Sequence, residues 1–207
     1  MTRPTLTRDY FEGLYERDED PWGFASSDYE AEKYDATLEA LGDRRFPDAL
    51  ELGCSIGVFT ARLAARCDRL LAVDVSHRAV ARARQRLAGL AGVAVKRATL
   101  PDELPSGSFD LVVCSEILYY WKPDTLRGAL PALAGAVSPG GSLLAVHWTA
   151  PTHTYPLRGD EVHDMLIDEM GLTCTYERRT ERYRLDRFDA PPSRVCAARF
   201  AGSEARP

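Results

Sequence analysis

The sequence predicts one α/β domain: a doubly wound, seven-stranded, mostly parallel sheet of the Rossmann-like kind, its last strand antiparallel, with an N-terminal helical lid. Three observations predict it. Short apolar runs alternate with helix-like segments through most of the chain. The first run stops at a glycine-marked turn, Gly53-Cys54-Ser55-Ile56-Gly57, and an alanine- and arginine-rich segment follows. A second run, Leu70 to Val75, delivers an acid, Asp74, 21 positions after Gly53. At 207 residues, with 45% apolar and 28% charged residues, the chain suits a single buried globular core and is too short for two large ones. Residues 1–45 read as a helical cap and 46–207 as the α/β core of that one domain.

Taken in order, Thr7 to Asp20 carries Tyr10, Phe11, Leu14 and Tyr15 at helical spacing. Asp20-Pro21-Trp22-Gly23-Phe24 breaks this helix with a turn. Ser27 or Asp28 can cap a second helix, Tyr29 to Leu41, which Gly42 ends. Strand one is then Ala49 to Gly53, followed by a helix from Gly57 to Arg66. Strand two, Leu70 to Val75, precedes a helix from His77 to Leu90. Strand three is Val93 to Ala98. A turn-rich loop, Pro101 to Ser108, leads to strand four, Phe109 to Ser115. A helix from Pro123 to Val137 stops at Pro139-Gly140-Gly141, ahead of strand five, Ser142 to Trp148. A helix from Asp160 to Met170 ends at Gly171. Two extended runs close the chain, Leu172 to Arg184 and Val195 to Phe200, with a hairpin-like connection at Asp189-Ala190-Pro191-Pro192-Ser193. Strand alternating with helix gives parallel neighbours and right-handed crossovers, and a last strand without a helix before it runs antiparallel.

Charge and composition exclude several classes. The net charge of −5 and pI near 5.4 leave no basic footprint for nucleic acid. No run is long enough to span a membrane, and the N-terminus lacks the apolar core of a signal peptide, so the expected location is the cytoplasm. The five cysteines are odd in number and hold no C-x-x-C pair, which suits reduced buried thiols and no metal site. Cys54 reads as a small side chain filling the turn. The oligomeric state is not set by any of these features.

The turn itself specifies a ligand chemistry. A dinucleotide fingerprint wants G-x-G-x-x-G, but Ser55 holds the place of its second glycine. Glu51, just before the turn, would repel a diphosphate. An acid there suits a cation, such as the amino group of S-adenosylmethionine (SAM). Strands deliver ligand contacts at their carboxyl ends, so Gly53, Asp74, Thr99 and Ser115 should share one rim. Gly53 and Gly57 let backbone approach the ligand, Asp74 accepts from both ribose hydroxyls, and Val75 offers adenine an apolar wall.

Glu51-Leu52-Gly53-Cys54-Ser55-Ile56-Gly57, with Ala72-Val73-Asp74-Val75-Ser76, resembles motif I and the following acid of class I SAM-dependent methyltransferases. Three further stretches resemble the rhizobial nodulation methyltransferase S family over roughly residues 9 to 145. They are Pro21-Trp22-Gly23-Phe24, Tyr29-Glu30-Ala31-Glu32-Lys33-Tyr34, and Ser115-Glu116-Ile117-Leu118-Tyr119-Tyr120-Trp121. The resemblance implies SAM as cofactor, S-adenosylhomocysteine as product, and a small acceptor such as the amine of an amino sugar or glycosylated metabolite. It implies that Trp22, Tyr29 and Lys33 help close the cofactor pocket. Thr99 and Leu100 stand where that class places an acid and its neighbour at the adenine edge. Glu116, Tyr119 and Tyr120 should line the boundary between methyl donor and acceptor. A small-molecule O-methyltransferase, or a SAM-binding module without turnover, are the alternatives.

Methyl transfer sets two further expectations. A protonated amine has no lone pair, so an acceptor benefits from a positioned base. His147 after strand five and Glu116 after strand four are the candidates. Trp148 and His163, on the helix that follows, are expected near the acceptor, and the aromatic run Tyr119-Tyr120-Trp121 suits sugar stacking or a cation. The bland alternative for His163 is a solvated helix histidine.

Overall fold

A computed structural model describes residues 3–193. Among them are six α-helices and seven strands. The helices are α1 (Arg8–Arg17), α2 (Asp28–Glu39), α3 (Val58–Leu63), α4 (His77–Arg86), α5 (Pro123–Gly135) and α6 (Gly159–Glu169). The strands are β1 (Phe46–Leu52), β2 (Cys67–Asp74), β3 (Val93–Arg97), β4 (Phe109–Ser115), β5 (Val137–Trp148), β6 (Thr173–Arg179) and β7 (Tyr183–Asp189). They form one sheet in the order β3-β2-β1-β4-β5-β7-β6. β1 to β5 pair in parallel, and β7 runs antiparallel to both β5 and β6.

The central strands are apolar on both faces. Leu50, Leu52, Val112, Leu143 and Ala145 meet one layer of helices, while Ala49, Leu111, Val113, Leu144 and Val146 meet the other. Two-sided burial of this kind is what a parallel strand requires. Helix starts match the local chemistry. Ser27 caps α2 by accepting the Glu30 N–H, and Ser76 caps α4 by accepting the N–H groups of Arg78 and Ala79.

The chain end corrects the sequence reading. The run Leu172 to Arg184 is not one strand: it turns at residues 180–182, where Thr180 Oγ1 accepts the N–H groups of Arg182 and Tyr183. A threonine hydroxyl shapes this turn where glycine or proline was sought. The antiparallel strand is therefore β7, inserted between β5 and β6. The expected run Val195 to Phe200 lies outside the described residues.

Gly159 fixes how α6 seats on the end of β5. A Cβ there would lie 2.3 Å from the Trp148 carbonyl oxygen and 3.1 Å from His147 Cβ. Gly159→Ala is expected to lose about 1–3 kcal/mol of stability by overpacking. Gly128→Ala on α5, which meets open space, should instead gain up to about 1 kcal/mol. Denaturant midpoints of the two variants against the parent check both signs.

Candidate active site

The carboxyl ends of β1, β2 and β4, with the loop after β3, open on a cavity of about 800 Å³. Gly53, Cys54 and Ser55 line it from the first turn, Asp74 and Val75 from the second, Thr99 and Leu100 from the third, and Ser115 and Glu116 from the fourth. The expected rim is thus assembled in one place. Residues 3–8, Phe11, Tyr15 and Trp22 of the cap cover it. Arg3 donates to the carbonyls of Thr152 and Tyr155, the Leu6 N–H donates to the Tyr120 carbonyl, and Thr5 Oγ1 accepts the Lys122 N–H.

The turn is shaped by backbone that tolerates little else. Gly53 has φ +77°, and a Cβ there would sit 2.9 Å from Ile117 Cδ1. Ser55, at φ +51°, is held in the left-handed region by two bonds: the Tyr15 hydroxyl donates to its Oγ at 2.5 Å, and its own N–H donates to Asp74 Oδ2 at 2.9 Å. The Ser76 N–H donates to Asp74 Oδ1 at 2.9 Å. Burial still pushes the Asp74 carboxyl up to about 6, against the pull of these donors. Glu51 is buried at the same wall. Burial raises its carboxyl to about 7, and its Oε2 has no hydrogen-bond partner among the described residues. An acid with one oxygen unpaired beside a cleft of this size, the Thr60 hydroxyl being its one lowering influence, fits a ligand that brings a cationic donor.

Gly57 does something different from what its position suggested. It caps α3 at φ +80°, and a Cβ there would lie 3.1 Å from Ala83 Cβ and Leu87 Cδ1. It is needed for the approach of α4 and does not line the cavity. Tyr29 and Lys33 also move. They line a second cavity, of about 300 Å³, and not the larger one. Trp22, Phe24, Glu116 and Tyr120 border both spaces; Glu30, Tyr119, Trp148 and Tyr155 are among the other residues lining the smaller.

Glu116 is the hinge between the two cavities. Its backbone has φ +52°. Its Oε1 accepts from Lys33 Nζ at 2.6 Å, and its Oε2 accepts the Tyr119 hydroxyl and, at 2.9 Å, the Trp148 N–H. Burial would raise this carboxyl, but the Lys33 ammonium and the hydrogen bonds overcome it and hold it below the ordinary glutamate range. Lys33 also donates to Glu30 Oε1 at 2.9 Å. Two carboxyl groups thus face one ammonium among aromatic walls; burial raises the Glu30 carboxyl, and the Arg182 guanidinium lies 5.3 Å from the Tyr29 ring centroid. The Tyr29 hydroxyl is buried there without a hydrogen-bond partner among the described residues.

The two histidines leave the site. His147 and His163 are fully buried and line neither cavity. The Leu118 N–H donates to His147 Nε2 at 3.2 Å, occupying the lone pair a base would need. His147 Nδ1 lies 3.1 Å from His163 Nε2, and His163 Nδ1 lies 2.8 Å from Asp186 Oδ2. Burial lowers the basicity of both rings, His163 to about 3. His147 is therefore not positioned as a base, and His163 is neither solvated nor at the acceptor. Alternation along β5 explains this: the Trp148 ring turns to the Tyr29 ring in the smaller cavity, and the His147 ring turns to His163 on α6.

Sequence reasoning missed several contributors. Tyr15 was visible as part of an apolar stripe, but its hydroxyl contact to Ser55 was not. Glu12, which accepts the Ser76 hydroxyl and the His77 N–H and so ties α1 to α4, gave no signal at all. Tyr155 stacks on Tyr119 with ring centroids 4.7 Å apart, from the loop between β5 and α6. Asp110 accepts the Asp48 N–H at 3.0 Å at the far end of its strand, in keeping with a structural role.

The sheet order, the glycine turn after β1 and the carboxylate after β2 on one cleft together define the architecture of the class I methyltransferases. A family model described as nodulation protein S matches residues 7–146. The chain belongs to that family. It is 34% identical over 128 residues to nodulation protein S of Sinorhizobium fredii, covering 61% of this chain and 59% of the relative. The chain thus matches about six tenths of that relative's length. The crystal structure of the N-methyltransferase NodS from Bradyrhizobium japonicum with S-adenosylhomocysteine superposes with a TM-score of 0.77 at 27% identity, over 87% of this chain and 98% of that one. A putative methyltransferase from Pseudomonas syringae superposes with a TM-score of 0.68 at 36% identity, over 78% and 98%.

Proposed function

We propose that this chain transfers a methyl group from SAM to the amine of a small molecule, an amino sugar or a glycoside bearing a free amine. The observation that carries the reading is the small aromatic cavity lined by the carboxyl groups of Glu30 and Glu116, joined to the larger cavity at Glu116. When bound, SAM supplies an electrophilic methyl on a sulfonium. Asp74 would hold its ribose hydroxyls, Glu51 its amino group, and Val75, Thr99 and Leu100 the adenine edge. Trp22 and Tyr120, on the border, exclude water. Glu116 and Glu30 draw the amine in, and Tyr29, Tyr119 and Trp148 give it a ring-lined wall.

Glu116 is too weakly basic to take the amine's proton, so the amine reacts as its neutral form. The carboxylate then faces the nitrogen as positive charge passes to it from sulfur. The reaction belongs in the cytoplasm, with a soluble acceptor.

A labelled-methyl assay on an amino sugar and its N-acetylated form tests the reading. Label should enter the free amine alone. Equal labelling of both forms would move the assignment to a hydroxyl acceptor. A titration showing SAM binding but no transfer to any amine would reject amine methylation.

A further inference from the structure

Behind the site runs a polar chain that the reaction above does not use. It starts at the Leu118 N–H, passes through His147 and His163, and ends on Asp186, which Arg184 Nε approaches at 3.0 Å. His147, His163 and Asp186 are all fully buried, and Arg184 is nearly so. An interior polar array of this length is costly unless each member is satisfied. Here the two rings follow one order, while Asp186 Oδ1 and Arg184 Nε have no hydrogen-bond partner among the described residues. Leu118 donates, so His147 Nε2 bears the lone pair. A neutral His147 then carries its proton on Nδ1 and donates to His163 Nε2. His163 in turn donates from Nδ1 to the Asp186 carboxylate.

The chain links three elements to one loop. His147 is on β5, His163 on α6, and Asp186 on β7. The loop is residues 116–121, which carries Glu116 at positive φ and the short 3-10 turn Leu118–Tyr120. Among the described residues nothing else holds the Leu118 N–H, which belongs to the first residue of that turn. The His147 ring also meets the Tyr119 ring in an edge-on arrangement, centroid to centroid 5.1 Å.

We infer that His147 is a positioning residue: through His163 and Asp186 it fixes the Leu118 backbone, and with it the placement of Glu116 and Tyr119 at the methyl-transfer boundary. This rests on the proposed amine methylation for its effect on rate, but not for its geometry. The histidine pair thus works as a fixed bracket on the loop. A shift of the loop by about 1 Å can cost on the order of 100-fold in rate.

The test is a variant series read by kinetics and by magnetic resonance. His147→Ala should lower kcat about 100-fold with KM for SAM unchanged and the shape of the pH profile retained. His147→Gln offers an amide oxygen to the Leu118 N–H and cannot act as a base; it should hold kcat within about tenfold of the parent. His163→Ala frees the His147 ring without removing Leu118's acceptor and should fall between the two. Should His147→Ala not fold, the Gln and His163→Ala variants carry the comparison.

Two readouts do not depend on an acceptor. At neutral pH both rings in the parent protein should show the Nδ1–H tautomer, and the Leu118 amide should be protected from exchange in the parent and in His147→Gln. Gln as damaging as Ala, an Nε2–H tautomer on His147, or an unprotected Leu118 amide would overturn the bracket. If the tautomers and the protection are as stated while the parent protein methylates no amine, the bracket stands and the functional reading falls.

Discussion

Glu116→Gln is expected to lower turnover about 100- to 1000-fold with little change in SAM affinity. The amide keeps the size of the side chain and can still accept from the Trp148 N–H and the Tyr119 hydroxyl. Lys33 keeps Glu30 as its partner. What disappears is the negative charge next to the nitrogen that gains positive charge as the methyl crosses. Single-turnover transfer of labelled methyl to an amine acceptor measures the loss directly; a rate within threefold of the parent would remove Glu116 from the mechanism. The same reading fixes the pH dependence. Lys33 and the hydrogen bonds keep Glu116 ionised below the ordinary glutamate range, so it does not titrate in the working range. The rate should then climb with pH as the acceptor loses its own proton, and the rising limb should move when an amine of different basicity is used.

Asp74→Ala is expected to weaken SAM binding more than tenfold, with the fold retained. A hydrogen bond to a charged group contributes about 1.5–3 kcal/mol, and two ribose hydroxyls would converge on this carboxylate. Calorimetric titration decides it: an unchanged affinity would remove the ribose role. Asp74 also sets a pH limit. Its folded pKa is raised to about 6, so in the fold it takes up a proton where the unfolded chain has already lost it. The ligand-free protein therefore loses stability as pH rises from the ordinary aspartate range to about 6. Binding has the opposite trend. Accepting from two hydroxyls favours the ionised form, so SAM affinity should be full at neutral pH and fall below about 6.

The parts of the site written in local patterns were legible in the sequence. The turn from Glu51 to Gly57 and the acid at Asp74 are set by strand ends and their connections, and the rim formed where their spacing placed it. What depended on packing between distant elements was not legible. Tyr29 and Lys33 were assigned by resemblance to the cofactor pocket, but how α2 sits against Glu116 turns them to the other cavity. His147 and Trp148 are neighbours at the end of one strand, and only the pleat decides which faces the site. The pairing of His147 with Arg184 of β7 puts α6 and β7 around the imidazole. The β6–β7 hairpin is not legible in the sequence because Thr180 makes the turn by a side-chain bond, whereas Pro191 and Pro192, the stronger local turn signal, lie beyond β7.

The covering segment at residues 3–8 has a consequence for the timing of the cycle. Arg3 grips the carbonyl of Tyr155, whose ring leans on Tyr119, whose hydroxyl reaches Glu116. One segment thus covers the larger cavity and rests, through Tyr155, on the wall of the smaller. On the proposed reading, a group entering or leaving the larger cavity past residues 3–8 disturbs the Arg3–Tyr155 contact, so exchange of the nucleoside is expected to couple to the wall on which the acceptor rests.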